Sequence, residues 1–317
     1  MEIWNDVNQL PGSYSASVIT IGNFDGVHLG HQQVLTEVQQ IAQSLGLISV
    51  AVTFTPHPSK IHRPREQFQQ IYSLERKLDF LSESGIDASL VLQYSLEFSQ
   101  QSPQEFVQRY FVDLLKAKVV IVGSDVRFGK GNVGDIELLK SLGKKYGFEV
   151  REIQDIGVSG YGSRCSSTLI RELLNAGKVK AAQELLGRKY SVVGQIVHGD
   201  ARGDALLGIP TANLGSEIDG ILPGDGIYAG WVKLSSNEKH YPAAISIGTN
   251  PTFGEVERRL EAHLLSEESL DLYGLEVEVI FTDYVRSMQK FDSVTELIVA
   301  IEKDIEITKN ILASDIM

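Results

Sequence analysis

The chain has 317 residues, of which 43% are hydrophobic and 22% are charged, so we expect two domains with packed cores and exclude a disordered chain. Its net charge of −12 argues against a general nucleic-acid-binding protein, because a phosphate backbone requires a basic surface. The single cysteine, Cys165, excludes an internal disulfide framework. No run of residues has the composition of an apolar leader or a membrane span. We therefore expect a cytoplasmic enzyme that does not bind membranes and shows no obligate protein partner.

The first half of the chain alternates short β-rich runs with helical patterns. The runs SVITIG, LISVAVTF, ASLVLQY, KVVIVG and FEVREI are typical of strands. Helices are predicted at HQQVLTEVQQIAQSLG, SLERKLDFLSESG, SPQEFVQRYFVDLLKA and IELLKSLGKKYG. This alternation predicts an α/β domain with a doubly wound parallel sheet, in which ligands bind beyond the carboxyl ends of the strands.

The second half changes pattern near Gly187, after two further helical stretches, STLIRELLNAG and KVKAAQELLG. The runs SVVGQIVHG, GIYAGWVKL, YPAAISIG, LEAHLL and EVEVIF have no helices between them and predict a small antiparallel β-barrel. The predicted domains are 1–187 and 188–317. A C-terminal helix begins at a capping box of Ser293 and Glu296. Its predicted apolar face consists of Val294, Leu297, Ile298 and Ile301.

The segment GNFDGVHLGH links the first predicted strand to the first helix. Gly22 and Gly26 permit a tight turn, and Gly30 permits close approach of a ligand to the backbone. His28 and His31 lie three residues apart, so both are expected on one face of the helix start, where they would donate to a phosphate during adenylyl transfer. Two surface histidines, or a zinc site that lacks an obvious third ligand, are the alternatives.

The segment RCSSTLIR is the expected second half of this site. The hydroxyls of Ser166, Ser167 and Thr168 precede a helix, and Arg171 follows one turn later. Taken alone, the hydroxyls indicate an N-cap; together with the histidine loop, they indicate a clamp for the outgoing pyrophosphate. Cys165 is expected to be a buried, inert thiol.

Two more loops suit a flat aromatic ligand. TFTPHP follows the second strand, and GSDVRFGKGNVGD follows the fourth. Phe54 and Phe128 would either belong to the core, as most phenylalanines do, or stack on a ligand at the strand ends.

The segment VHGDARGDALLGIPTANL predicts a second nucleotide site. Its glycines form a flexible cradle for phosphates, or a glycine-rich hairpin. Thr211 and Asn213 alternate, so their oxygen-bearing side chains point the same way in an extended segment and suit Mg²⁺ bound with ATP. The residues predicted to form the ATP cradle are Gly199, Arg202, Gly203, Gly208 and Pro210.

The segment LEAHLL is expected to be a strand with two different faces. Alternation puts Glu261 and His263 on one face. The apolar face consists of Leu260, Ala262 and Leu264. Glu261 alone would be an ordinary solvated carboxylate.

These segments resemble a known family. GNFDGVHLGH, TFTPHP, GSDVRFG and SSTLIR resemble the FMN adenylyltransferase module of bacterial bifunctional riboflavin kinase/FAD synthetases. HGDARGDALLGIPTANL, LPGDGIYAGWV, IGTNPTFG, LEAHLL, LYG and QKFDS resemble the riboflavin kinase module. The resemblance implies that ATP phosphorylates riboflavin to FMN with release of ADP, and that a second ATP adenylylates FMN to FAD with release of pyrophosphate. FMN and FAD are then substrate and product, and Mg²⁺ accompanies ATP.

The resemblance also implies roles for single residues. His28 and His31 would activate ATP in the first module, and Glu261 would be the general base of the kinase, beside Mg-ATP on Thr211 and Asn213. The implied ATP-binding residues of the first module are Gly22, Asn23, Phe24, Asp25, Gly30, Ser167, Thr168 and Arg171. The implied flavin-binding residues there are Phe54, Pro56, Pro58, Asp125 and Phe128.

The chain departs from the family pattern at Val126 and Ile209, where phenylalanine is common, which affects the shape of the flavin pockets. Three alternatives remain at this stage: adenylylation of a different phosphorylated acceptor, a flavin-binding protein without catalysis, and an enzyme with one inactive module.

Overall fold

The structure is a computed structural model that describes residues 1–5, 7, 10, 16–65, 68–154, 165–198, 211–234, 239–249, 258–266 and 272–315. The chain forms two compact units, Met1–Ser166 and Ser167–Met317.

The first unit is built on a parallel sheet. Its strands are β1 (Glu2–Trp4), β2 (Ser17–Ile21), β3 (Ile48–Thr55), β4 (Ala88–Gln93), β5 (Ala117–Gly123) and β6 (Glu149–Ile153), in the order β1-β4-β3-β2-β5-β6. The five predicted strands are confirmed as β2 to β6; β1 is too short to show a sequence period. Strands β2, β3 and β4 follow one another across the sheet, and β5 lies on the other side of β2. The strand order therefore reverses between β2 and β5, which is where doubly wound sheets bind ligands.

Helices cover both faces of this sheet. They are α1 (Leu29–Leu45), α2 (Pro58–His62), α3 (Leu74–Glu83), α4 (Pro103–Phe106), which continues as a π-helix over Val107–Leu114, and α5 (Ile136–Tyr146). The side chains of Ser73 and Asp135 cap α3 and α5. Alternation along β2 supplies both cores, because Val18 packs in the cluster that includes Leu35 of α1, whereas Ile19 packs in the cluster that includes Phe111.

The second unit contains a closed antiparallel barrel. Its strands are β7 (Ser191–Val197), β8 (Thr211–Asp219), β9 (Gly226–Leu234), β10 (His240–Gly248), β11 (Arg259–Leu264) and β12 (Glu276–Arg286), in the closed order β10-β11-β8-β7-β12-β9. Five of these strands are those predicted. The sixth, β8, begins at the extended segment that carries Thr211 and Asn213.

Two helices precede the barrel and pack on it. They are α6 (Ser167–Asn175) and α7 (Val179–Leu186). The amide of Gly224 donates to the Leu174 carbonyl of α6 at 2.8 Å, and Nε2 of Gln183 on α7 donates to the Phe281 carbonyl at 2.8 Å. The division by packing therefore falls after Ser166, about one helical hairpin before the division predicted near Gly187.

The last helix, α8 (Val294–Ala313), begins at the predicted cap, where the Ser293 side chain accepts from the amide of Glu296. Its buried face continues the predicted one, because Asp304, Thr308 and Leu312 follow Leu297 and Ile301 at helical spacing and are at most 6% exposed. Val294, at the start of the helix, is 43% exposed. Asp304 is buried because Arg286 donates two hydrogen bonds to it, from Nε at 2.8 Å and from Nη2 at 2.7 Å. Leu297, Ile298 and Ile301 are half-buried.

None of the helices in the described part of the chain is long and apolar enough to cross a membrane.

Candidate active sites

Three of the predicted loops follow adjacent strands of the parallel sheet. GNFDGVHLGH follows β2, TFTPHP follows β3 on one side, and GSDVRFG follows β5 on the other. All three strands are parallel, so their carboxyl ends meet at one edge, and the strand order reverses between β2 and β5. This position is the one expected for a nucleotide site in such a sheet.

The loop after β2 has an unusual backbone. Phe24 and Val27 both have positive φ, 48° and 39°, as does Gly26 at 82°. A left-handed conformation is costly for a β-branched residue such as Val27. The loop is held inside the domain, because Phe24 and Val27 are 2% and 1% exposed. The buried Asp25 accepts from the amide of Ile71 at 2.9 Å. Asn23, in contrast, is exposed.

His28 and His31 lie together at the start of α1, as predicted. Their rings stack with centroids 3.7 Å apart and an interplanar angle of 17°. His28 is the N-cap of α1, and its Nδ1 accepts from the backbone amide of His31 at 3.4 Å. With Nδ1 as an acceptor, the neutral ring carries its proton on Nε2, which is then the nitrogen that can donate to a phosphate.

Gly30 makes room for the His28 ring. A Cβ on Gly30 would lie 3.2 Å from Cε1 of His28 and 4.0 Å from the carbonyl oxygen of Cys165. The glycine therefore allows the histidine to fold back over the first turn of α1. The contact also brings Cys165, which is 4% exposed as expected for a buried thiol, beside this turn.

The loop after β3 lies beside aromatic side chains. Phe54 is half-buried and meets Tyr94 and Phe98 edge to face, with centroids 5.8 and 5.9 Å apart. Pro56 is exposed and follows a cis peptide bond, and Pro58 is the first residue of α2. This surface has the aromatic edges that a flat ligand would contact.

The two predicted flavin contacts of the loop after β5 differ in their exposure. Asp125 is exposed, and its Oδ1 lies 2.9 Å from the position of a Cβ on Gly123. Phe128 is 6% exposed, and its ring packs 6.3 Å from that of Phe106 in the core cluster. This burial agrees with the core interpretation of Phe128, and its contact with a flavin stays a prediction. Val126 packs against the same cluster.

The segment SSTLIR begins α6. Ser167 is the first residue of this helix, and Arg171 lies one turn further on. Ser167 and Arg171 are half-buried, and Thr168 is exposed. The packing division assigns all three to the second unit, together with the barrel.

The barrel brings the predicted kinase residues together on β8 and β11. Glu261 is directly opposite Asn213, and His263 is directly opposite Thr211. The residues that alternate with them, Ala212, Leu214, Leu260, Ala262 and Leu264, are at most 3% exposed and fill the barrel interior. The predicted alternation is therefore confirmed on both strands, and the four polar side chains share the outer face.

Thr211 and His263 also touch. The Thr211 hydroxyl lies 2.9 Å from Nδ1 of His263. The Thr211 hydroxyl, the side-chain carbonyl of Asn213 and the Glu261 carboxylate lie on the same outer face and offer oxygen atoms, the ligands that a hard cation such as Mg²⁺ prefers. Among the described residues, no group of three or more His, Cys, Asp or Glu side chains could hold a metal ion, and the zinc alternative for His28 and His31 finds no third ligand there.

The predicted ATP cradle of the kinase, Gly199, Arg202, Gly203, Gly208 and Pro210, lies outside the described residues, as does Ile209.

Sequence reasoning misses Lys77. This residue of α3 is 3% exposed and lies beneath the loop after β2. Burial lowers the pKa of Lys77 to about 8, and the charge of Asp25 opposes this shift. A signal was present, because Leu74, Lys77, Leu78 and Leu81 have the i, i+3, i+4, i+7 spacing of a buried helix face.

Comparison with known proteins finds one enzyme family for each half of the chain. The FAD synthetase family model matches residues 11–169, and the riboflavin kinase family model matches residues 186–312. The bifunctional riboflavin kinase/FMN adenylyltransferase of Escherichia coli K12 is 36% identical over 287 residues, which cover 90% of each chain. Its counterpart from Listeria monocytogenes is 34% identical and covers 98% of this chain and 94% of its own.

One solved structure matches nearly the whole fold. The crystal structure of a protein from Streptococcus pneumoniae, described as a macrolide-efflux protein, is 32% identical with a TM-score of 0.86. The match covers 97% of this chain and 98% of that one. Efflux is stated of that protein alone, and the similarity shows that the two chains share their fold.

A doubly wound sheet matched by the FAD synthetase family, followed by a closed barrel matched by the riboflavin kinase family, defines a two-module ATP-dependent flavin transferase. The chain belongs to the bifunctional riboflavin kinase/FMN adenylyltransferase family. It phosphorylates riboflavin to FMN and adenylylates FMN to FAD, using ATP in both reactions.

Proposed function

We propose that Glu261 is the general base of the riboflavin kinase and that Thr211 and Asn213 hold Mg-ATP beside it. The observation that carries this proposal is the cross-strand pairing of Glu261 with Asn213 and of His263 with Thr211 on one outer face of the barrel. This pairing brings a carboxylate next to two neutral oxygen ligands, as a phosphoryl acceptor and a phosphate-bound cation require.

In this site, the Glu261 carboxylate accepts the proton of the ribityl 5′-hydroxyl while that oxygen attacks the γ-phosphorus of ATP, and ADP leaves. Phosphoryl transfer depends chiefly on positioning and charge stabilisation, so Glu261 orients the hydroxyl as well as removing its proton. Mg²⁺, when bound, neutralises charge on the phosphate oxygens. The glycine-rich segment from Gly199 to Pro210 would hold the phosphates.

In the adenylyltransferase, the phosphate of FMN attacks the α-phosphorus of ATP, and pyrophosphate leaves. Nε2–H of His28 and the ring of His31 would donate to the phosphate oxygens whose charge grows in the transition state, together with the amino end of α1. The Gly22–Asp25 segment and Gly30 would surround the nucleotide, and Ser167, Thr168 and Arg171 would bind the outgoing pyrophosphate. Phe54, Pro56, Pro58 and Asp125 would contact the flavin, whereas Phe128 supports that surface from the core.

The functional boundary between the modules would lie near Gly187. The riboflavin kinase family match supports this position, because it begins at residue 186. A cytoplasmic location follows from the use of ATP in both reactions.

A crossed assay tests the kinase assignment. Glu261→Gln preserves size and hydrogen bonding but removes basicity, so riboflavin phosphorylation should fall by ~10²–10⁴-fold. FAD formation from supplied FMN should continue, because that chemistry belongs to the other module, and it also reports correct folding. The exposed Glu276 of β12 provides a matched control, Glu276→Gln, with both activities retained. Near-normal phosphorylation by Glu261→Gln would overturn the assignment, and an equal loss of both activities would indicate a structural role.

A further inference from the structure

Lys77 is a buried cation in the adenylyltransferase module. It projects from α3 on the same side as the buried Leu78 and Leu81, and its residue exposure is 3%. Removing an ammonium group from water is costly unless its protons are hydrogen-bonded. The groups that accept these protons therefore indicate what the lysine holds in place.

Three oxygen atoms surround the Lys77 ammonium. Nζ donates to Oγ1 of Thr53 at 2.9 Å, to the Asn23 carbonyl at 3.2 Å and to the Phe54 carbonyl at 3.4 Å. An ammonium group has three protons, so these contacts account for all of its donors. Thr53 completes the arrangement, because its own hydroxyl lies 3.3 Å from the Asn23 carbonyl.

The three acceptors lie on one loop and on the end of the neighbouring strand. Asn23 belongs to the loop after β2, which is assigned to ATP, whereas Thr53 and Phe54 are among the last residues of β3, just before the loop that is assigned to the flavin. The bond to Asn23 falls immediately before Phe24, whose φ of 48° is unfavourable for a residue with a side chain. Such a backbone persists only when surrounding contacts enforce it. Lys77 supplies one of these contacts from a different element.

We propose that Lys77 is a positioning residue of the adenylyltransferase, which fixes the ATP loop relative to the end of β3, from which the flavin loop departs, through one ammonium group. The proposal rests on the proposed function of the two loops. Lys77 does not touch the reacting atoms; it acts through the backbone of Asn23 and Phe54. Its removal should therefore disturb the binding of both substrates together, because the alignment of two reactants is sensitive to shifts of about 1 Å.

The protonation of Lys77 gives the proposal a second readout. Burial lowers its pKa from 10.5 to about 8, and the charge on Asp25 raises it. The remaining partners, Thr53 and the two carbonyls, are uncharged. On α3 itself, Asp79 is exposed and the Arg76 guanidinium lies over the ring of Tyr72. Loss of the proton above about pH 8 would remove a donor from the loops.

Stability and activity then change in opposite directions with pH. Between the folded pKa of about 8 and the ordinary value of 10.5, the unfolded chain binds more protons at Lys77 than the folded chain. This group therefore adds to stability as the pH rises through that window. A lysine with only a structural role would increase stability there and leave the adenylyltransferase rate unchanged.

The experiment compares full-length wild type with Lys77→Met and with a control, Lys140→Met. Lys140 lies on α5 and pairs with Glu137 and Glu152 at the surface. FAD formation from FMN and ATP is measured between pH 6.5 and 9.5, with KM for both substrates, the thermal midpoint and riboflavin phosphorylation measured alongside. For Lys77→Met we expect kcat/KM for FAD formation to fall by ~10²-fold, with KM raised for both substrates and phosphorylation retained.

In the wild type and in Lys140→Met, the rate should fall as the pH rises through about 8, and this decrease should be absent in Lys77→Met. Unchanged KM values, or the same alkaline decrease in Lys77→Met, would overturn the proposal. If Lys77→Met fails to fold, Thr53→Val, which removes one acceptor of the ammonium, is measured in the same assay, and unchanged KM values for both substrates would overturn the proposal.

The failure of this proposal is distinguishable from the failure of the site assignment. His31→Ala is measured in the same assay: if it retains FAD formation, the assignment of the loop after β2 to ATP is wrong. If His31→Ala loses FAD formation while Lys77→Met behaves like the wild type, only the role of Lys77 is refuted.

Discussion

The hydroxyl of Thr211 and Nδ1 of His263 lie 2.9 Å apart across two neighbouring barrel strands. The contact fixes the rotation of the hydroxyl, and it does so next to the cross-strand pair of Asn213 and Glu261. A threonine oxygen that is held in this way can present a lone pair to a cation without first losing rotational freedom.

This arrangement predicts how the kinase responds to magnesium. Thr211→Ala and Asn213→Ala should each raise the Mg²⁺ concentration needed for half-maximal riboflavin phosphorylation, and His263→Asn should do so less strongly because it removes only the support. A titration of the phosphorylation rate with Mg²⁺ at fixed ATP measures the effect, and FAD formation from FMN is the internal control. An unchanged titration in Thr211→Ala would remove this residue from the metal site.

The stacked histidines allow catalysis to be separated from helix capping. His28 caps α1 through Nδ1, so His28→Ala combines loss of a donor with loss of a cap, which costs about 1 kcal/mol for the usual capping residues. Asparagine is a preferred N-cap, and His28→Asn should keep the thermal midpoint near that of the wild type. FAD formation should still fall by ~10²–10³-fold in His28→Asn and in His31→Ala. Retention of that activity would make the pair structural.

The barrel fragment provides a test of the module boundary. We expect fragments that begin at Ser167 and at Arg188 both to make FMN, and neither to make FAD, because both lack GNFDGVHLGH. The shorter fragment should have the lower thermal midpoint. It loses α7, whose Leu185 and Leu186 are fully buried, and burial of a leucine stabilises by about 1.5–3 kcal/mol.

Equal thermal midpoints would mean that α6 and α7 contribute nothing to the stability of the barrel. A folded fragment from Arg188 without kinase activity would contradict the boundary near Gly187.

Much of the fold could be predicted from period and spacing. The strands of the sheet are continuous apolar runs, and Thr211, Asn213, Glu261 and His263 alternate with residues that fill the barrel. These features depend on local pattern, and the structure confirms them. The packing of α6 and α7 on the barrel could not be predicted in this way, because each helix has an apolar face and the sequence does not state which sheet covers it.

The positions that local pattern does not predict are buried charged residues, which are stabilised by partners from other elements. Asp304 occupies a buried position on the apolar face of α8 because Arg286 donates two hydrogen bonds to it, whereas hydropathy alone favours an apolar residue there. Lys77 is similar, since its carbonyl acceptors belong to other elements and leave no trace in the local sequence. Phe128 shows a different limit: its place at a strand end allows either a ligand contact or a core position, and its packing near Phe106 could not be predicted from the local sequence.

The left-handed backbone at Phe24 and Val27 has a consequence for engineering. The local sequence GNFDGVHLGH does not determine the conformation of this loop, since neither Phe24 nor Val27 adopts a left-handed backbone readily by itself. A graft of this motif onto another parallel sheet would transfer the histidines without the geometry. A successful graft would need to include the loop, the end of β3 and the buried lysine of α3. The last two are separated from the loop by about 30 and 50 residues of chain.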